Sequence, residues 1–129
     1  MTRYVGSSGD YAAWVCGDRP YNLAEPGMPP LWVPDVDATT AALVHVEFVP
    51  DASISPLVEG TRVPAVVREA AIVDLLAVFG RYREVLDDAN NPLETVRAIT
   101  NEPAVAPCLA WVQNQTGCRG TVEVRSPDG

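Results

Sequence analysis

The sequence predicts an α+β fold, in which one long helix and one short helix pack on a small, mostly antiparallel sheet that carries an extended proline-rich arm. Apolar residues recur at helical spacing over residues 63–89, whereas residues 43–49 alternate between apolar and polar side chains as a strand does. Residues 19–37 contain five prolines, which fix φ and oppose regular structure. A chain of 129 residues without an internal repeat fits a single domain over residues 1–129.

Composition indicates a globular, acidic protein. Hydrophobic residues make up 47% of the chain and charged residues 20%, which is too apolar for a disordered protein. The net charge of −8 opposes binding to a nucleic-acid backbone or an anionic membrane, because both need a positive surface. The first residues lack the apolar core of a signal peptide, so the expected location is the cytoplasm or a virion. All nine basic residues are Arg, a bias typical of a GC-rich coding genome.

The N-terminal apolar run at residues 11–16 fits a short helix or a strand. Ser7 or Ser8, followed by Asp10, can cap a helix that Gly17 would end. These signals favour the helix.

The arm at residues 19–37 carries apolar side chains in its stiff segment. Leu31, Trp32 and Val33 lie between Pro30 and Pro34, where the backbone is expected to be extended. The arm either lies across its own domain or docks on another chain, since a stiff segment loses little entropy on binding.

Residues 43–49 form the clearest predicted strand, with β-branched and aromatic side chains at alternate positions. Val44, Val46 and Phe48 are expected to face inward. His45 and Glu47 then share the outer face, where a carboxylate can orient an imidazole. The sequence shows no nucleophile or pocket beside this pair, so a solvated or interface pair is favoured over acid–base machinery.

The long helix predicted over residues 63–89 has Pro64 in its first turn and is apolar on two sides. The stripe expected to face the core consists of Ile72, Leu75, Phe79, Tyr82 and Leu86. The roughly opposite side carries Ala70, Val73, Ala77 and Gly80. Small side chains allow close approach of a second backbone, so this side is predicted to receive either another helix of the chain or a neighbouring subunit.

The C-terminal third is predicted to contain a short helix and a β-hairpin. Asn91 and Pro92, followed by Glu94, match the start of a helix that would run over residues 92–101. Residues 108–113 and 121–125 have the composition of two strands.

Three cysteines leave several chemical states open. Cys16, Cys108 and Cys118 are predicted as free thiols in a reducing cytosol, with a Cys108–Cys118 disulfide as the alternative. Together with His45 they have the composition of a zinc site, but no pair has the close spacing of such sites. No metal and no cofactor are therefore predicted.

No motif in the chain assigns a catalytic residue. The two-sided helix and the arm predict a structural or interaction protein, one subunit of a homo- or hetero-oligomer, with a bacteriophage connector or tail protein as the specific hypothesis. Other protein subunits are the predicted partners, with neither nucleic acid nor membrane. The interface candidates are Leu31, Trp32, Val33, Ala70, Val73, Ala77 and Gly80. The alternative is a small α+β enzyme or ligand-binding domain whose pocket lies between sheet and helix and uses His45, Glu47 or Cys16.

Overall fold

The computed structural model of the protein describes residues 7–17 and 19–127. Its helices and strands, in chain order, are α1 (Ser8–Cys16), β1 (Tyr21–Asn22), β2 (Trp32–Val33), β3 (Asp35–Asp37), β4 (Ala42–Glu47), α2 (Ala65–Asp87), β5 (Thr95–Thr100), α3 (Ala106–Thr116) and β6 (Gly120–Val124). Single turns of 3-10 helix lie at Ala52–Ile54 and Pro103–Val105. Among the described residues, none of the helices has the length and apolar character needed to cross a membrane.

A four-stranded sheet with the order β3-β4-β5-β6 lies at the centre of the fold. β3 pairs antiparallel with β4, whereas the β4–β5 and β5–β6 pairs are parallel. β1 and β2 form a separate antiparallel ribbon. The predicted α+β class is confirmed, but the central sheet is mixed rather than mostly antiparallel. Parallel neighbours need long crossover connections, which α2 and α3 supply, and the carboxyl ends of β4, β5 and β6 therefore meet at one edge.

Helices cover both faces of this sheet. On the inner face, Phe79 of α2 and Leu109 of α3 pack on Leu43 and Val96 in the main core. On the outer face, Tyr11 of α1 packs on Val44 and Ile99 in a smaller cluster. Leu75, Phe79 and Tyr82 are buried, as the helical spacing predicted.

The alternation of β4 is confirmed, but the assignment of its faces needs correction. Val44, Val46 and Phe48 pack against the cluster under α1, so they face apolar surroundings as expected. His45 was expected on the solvent side, yet it is 9% exposed and contacts the rings of Phe79 and Tyr82. Alternation of apolar and polar residues assigns side chains to two faces of a strand, but it does not show whether other elements cover each face. Both faces of β4 are covered.

Strand β5 (Thr95–Thr100) occupies most of residues 92–101, and the prediction of a helix there is wrong. Asn91 does cap a turn, because its Oδ1 accepts the Leu93 N–H, but the next two N–H groups donate to the carbonyl of Ala41 rather than to a helical turn. The β-branched residues of β5 then suit a strand that is buried between two neighbours.

Residues 108–113 lie in helix α3, so the predicted hairpin is also wrong. Pro107 stands in the first turn, where its missing N–H costs nothing. Gly117 ends the helix with φ of 72°, a left-handed conformation that favours glycine. The apolar run reads as a strand in isolation, but Leu109, Val112 and Gln113 are buried at helical spacing.

The N-terminal helix is confirmed as α1, with the Ser7 Oγ accepting the N–H of Asp10. The arm contains the β1–β2 ribbon rather than only irregular backbone. Arg81 of α2 anchors it by donating hydrogen bonds to the carbonyls of Pro29 and Pro30. Cys16, Cys108 and Cys118 are free thiols.

Candidate functional site

A cavity of about 480 Å³ opens beside the carboxyl end of β4. Its walls are the end of β4, the loop at residues 48–57 and the middle of α2. Asn101 holds this loop in place, because its side chain exchanges two hydrogen bonds of 2.7 Å with the backbone of Val49. Crevices at the carboxyl ends of parallel strands are common ligand sites.

Three side chains form a hydrogen-bonded series that runs from the core to the inner wall of this cavity, which His45 and Glu47 line. The Tyr82 hydroxyl lies 2.7 Å from Nδ1 of His45, and Nε2 of His45 lies 2.9 Å from Oε1 of Glu47. An ionised carboxylate only accepts hydrogen bonds, so Nε2 carries a proton, and in the neutral imidazole Nδ1 accepts from the tyrosine. This arrangement fixes both the tautomer of His45 and the direction of Glu47.

Packing holds the hydrogen-bonded side chains in place and keeps Tyr82 protonated. The His45 ring contacts Phe79 edge-on, with ring centroids 4.9 Å apart. Phe79 and Tyr82 are three residues apart on α2, which places both over β4. Burial raises the pKa of Tyr82 far above its usual value, and the negative charge of Glu47 raises it further. The hydroxyl is therefore a hydrogen-bond donor at every physiological pH.

The cavity combines apolar walls with negative charge. Its carboxylates belong to Glu47, Asp51 and Asp74. Asp51 accepts hydrogen bonds from the Ser53 hydroxyl and backbone N–H, which hold the pKa of Asp51 below its usual value. No basic side chain other than His45 lines the described walls of this cavity.

The thiols do not join this site to form a metal centre. Cys16 belongs to α1 on the outer face, where burial and the charge of Asp35 raise its thiol pKa. Burial also raises the thiol pKa of Cys108 and of Cys118. Within residues 7–17 and 19–127, no three His, Cys, Asp or Glu side chains come together as a metal site.

The predicted interface residues fall into two groups. Leu31 and Val33 are buried in the core of their own chain, whereas Trp32 between them is 60% exposed. On α2, Ala70, Val73 and Ala77 are exposed and Gly80 is half-buried. A role in subunit contact stays a prediction for the exposed residues.

Sequence reasoning placed His45 and Glu47 together but missed Tyr82 as their partner. Tyr82 was assigned to the core stripe of α2 on spacing alone. A buried tyrosine hydroxyl needs a hydrogen-bond partner, and the chain's only histidine was the signal that could have identified it.

Comparison with known proteins gives one family match. The model of Tox-REase-2, described as restriction endonuclease fold toxin 2, matches residues 7–118. No curated protein matches the chain, and neither does a solved structure. The match overturns the prediction of a structural virion subunit and favours the alternative of a small α+β enzyme.

Proposed function

The chain belongs to the restriction endonuclease fold toxin 2 family, and from this membership we propose that it is a toxin domain that cleaves phosphodiester bonds in nucleic acid at the cavity beside Glu47. The main support is the series of hydrogen bonds from Tyr82 through His45 to Glu47. It directs the Glu47 carboxylate into a cavity at the edge where the parallel strands end.

An endonuclease fold raises the question of a divalent cation, because nucleases often use metal ions to stabilise the attacking and leaving oxygens. The described residues do not fit such a centre, since no three ligating side chains converge. Glu123 on the outer face is also occupied, because both of its carboxylate oxygens accept hydrogen bonds from Arg97. We therefore assign the chemistry of this proposal to protein side chains.

Glu47 is the proposed general base. Its Oε1 accepts the hydrogen bond from His45, and within the described residues Oε2 has no such partner. Oε2 takes a proton from the attacking water, whose oxygen bonds to phosphorus while the bond to the leaving oxygen breaks. The leaving oxygen takes a proton from water. His45 and Tyr82 are positioning residues, because they act on the substrate only through Glu47.

The negative charge of the chain shapes how a nucleic acid must bind. A net charge of −8, from which we predicted no nucleic-acid partner, gives no long-range attraction to phosphates. Asp51 and Asp74 add local repulsion in the cavity. Binding must therefore come from short-range contacts beside the cavity.

The test is cleavage of fluorescent single-stranded and duplex RNA and DNA by the purified protein and by Glu47→Gln. Loss of a general base costs about 100-fold or more in rate, and the amide keeps the shape of the side chain. Glu69→Gln is the matched control, because Glu69 is exposed on α2 away from the cavity. The proposal is wrong if the native protein cleaves none of the substrates, or if Glu47→Gln cleaves as fast as the control.

A further inference from the structure

We propose that a second cavity, between Arg68 and Trp111, is a nucleotide subsite that binds one unstacked base and its phosphate in a single-stranded nucleic acid. This inference rests on the proposed function and names the form of its substrate. The cavity has a volume of about 430 Å³ and lies between α2, α3 and the loop that carries Pro56 and Leu57.

The two cavities adjoin each other. Pro56 and Leu57 line both of them, so a chain of nucleotides lying in the second cavity passes directly to the first. Glu47 stands in the first cavity, while the second contains Arg68, the only arginine that lines either of these two cavities in the described structure. One cavity thus supplies the base for catalysis and the other supplies contacts for binding.

Trp111 provides an aromatic surface in the second cavity. Trp111 is 46% exposed, although it belongs to α3, whose neighbouring residues Leu109 and Val112 are fully buried. An indole on a rigid helix offers a flat surface on which any base can stack. Stacking is short-range and does not require a positively charged protein.

Arg68 provides the charge for one phosphate. Its NH2 group donates a 2.9 Å hydrogen bond to Oγ1 of Thr61, and Thr61 is itself held within hydrogen-bond distance of the carbonyls of Ser55 and Val58. The guanidinium is fixed from one side, and within the described residues it forms no ion pair. Its remaining N–H groups suit a phosphate, which accepts paired hydrogen bonds from a guanidinium. Glu59 also lines this cavity. Its negative charge repels any phosphate that Arg68 does not neutralise.

These features favour a single strand over a duplex. Duplex binding depends mainly on neutralising many phosphates at once. A protein of net charge −8 with a single arginine in these two cavities does not do this. Stacking on Trp111 needs a base that is free of its own neighbours, as in single strands and loops.

The test measures binding separately from cleavage. Fluorescence anisotropy of labelled single strands of about eight nucleotides, and of a hairpin duplex of matched sequence, is recorded with Glu47→Gln protein to suppress cleavage. Trp111→Leu and Arg68→Gln are each expected to weaken single-strand binding about 10-fold or more. Trp111→Phe keeps a stacking surface and is expected to retain most of the affinity.

Trp32→Leu and Arg62→Gln are the matched controls, since both residues are exposed and lie outside either cavity. Circular dichroism confirms that each variant is folded. The inference is overturned if no strand binds, if Trp111→Leu binds as tightly as Trp32→Leu, or if the duplex binds more tightly than the single strand. Cleavage that does not depend on Trp111 would overturn this inference alone, whereas Trp111-dependent binding without cleavage would overturn the proposed function alone.

Discussion

His45 shows how one residue connects fold and site. It contributes to the main core through its contacts with Phe79 and Tyr82, and it presents its other side to Glu47. Every polar atom of the imidazole has a partner, which a buried histidine requires. The same hydrogen bonds that satisfy the core therefore orient the proposed base.

Tyr82→Phe is expected to lower both stability and activity. The change removes the donor to Nδ1 of His45 and leaves a buried acceptor without a partner, which costs about 1–3 kcal/mol in free energy of unfolding. Urea denaturation measures this cost, with Tyr21→Phe on the exposed β1 strand as control. If Tyr82 positions Glu47, kcat falls while KM stays near its native value, and an unchanged kcat would show that the hydroxyl is needed only for stability.

Glu123 is expected to make the free energy of unfolding decrease at acidic pH. Hydrogen bonds from Arg97 at 2.7 and 3.0 Å, with the charges of Arg97 and Arg125, hold the pKa of Glu123 below its usual value against the opposing effect of burial. A carboxyl with a lowered pKa stabilises the fold above its unfolded pKa of about 4.3. That stability is lost as the pH falls through the folded pKa.

The free energy of unfolding, measured by urea at several pH values, should therefore fall below about pH 4.3. Glu123→Gln should be less stable at neutral pH and show a shallower fall, whereas Glu69→Gln keeps the native profile. A Glu123→Gln profile parallel to the native one would contradict the role of this ion pair.

At the scale of elements, β5 and α3 illustrate why local signals failed. Asn91 and Pro92 are typical of a helix start. Residues 95–100 are instead a strand whose backbone pairs with β4 on one side and β6 on the other. Residues 108–113 have the composition of a strand, yet they lie in α3, which forms the crossover between the parallel strands β5 and β6. In both cases, distant partners decided the local structure.

Gly120→Ala is expected to destabilise β6 strongly. Gly120 has φ of 156°, and a Cβ at this position would overlap the backbone carbonyl of Val96 in the neighbouring strand. Strain and overpacking together are expected to cost about 2–4 kcal/mol. Thermal and urea unfolding measure the effect.

Gly80→Ala is the contrasting change within α2. A Cβ there meets no atom within 4 Å, and the backbone of Gly80 is not in the left-handed region. Alanine in a helix interior is expected to stabilise the protein by about 0.5–1 kcal/mol. If both substitutions change stability by the same amount, the close approach of β6 to Val96 is not what requires glycine.

At the scale of the whole molecule, charge sets the expected behaviour towards nucleic acid. The protein and its proposed substrate are both negative, so they repel each other at long range. Raising the salt concentration from about 20 mM to about 150 mM shortens the screening length. We expect kcat/KM for a single-stranded substrate to rise over this interval, the reverse of a nuclease with a basic surface, and a steep fall would instead indicate many phosphate contacts.

The exposed side of α2 is a candidate surface for contact with another subunit. Val66 is 72% exposed and Val73 is 62% exposed, and Ala70 and Ala77 lie beside them on the same side of the helix. We expect this side to bind another protein subunit, because exposed branched side chains beside small residues allow close helix packing. Light scattering of native protein and Ala77→Arg gives the mass, and a monomeric native protein, or an unchanged oligomer in the variant, would contradict this expectation.

The sequence by itself determined the α+β class, the extent of α2, the strand at residues 43–49 and the proximity of His45 to Glu47. These follow from periodicity and from residues two to four positions apart, where spacing alone places side chains together. Tertiary structure alone decided that residues 95–100 are a strand, that both faces of β4 are covered, and that Tyr82 meets His45 across 37 positions of the chain. It also decided that Arg68 and Trp111 line one cavity. Such contacts depend on which surfaces the whole chain can bury together, and that balance is not contained in any short stretch of residues.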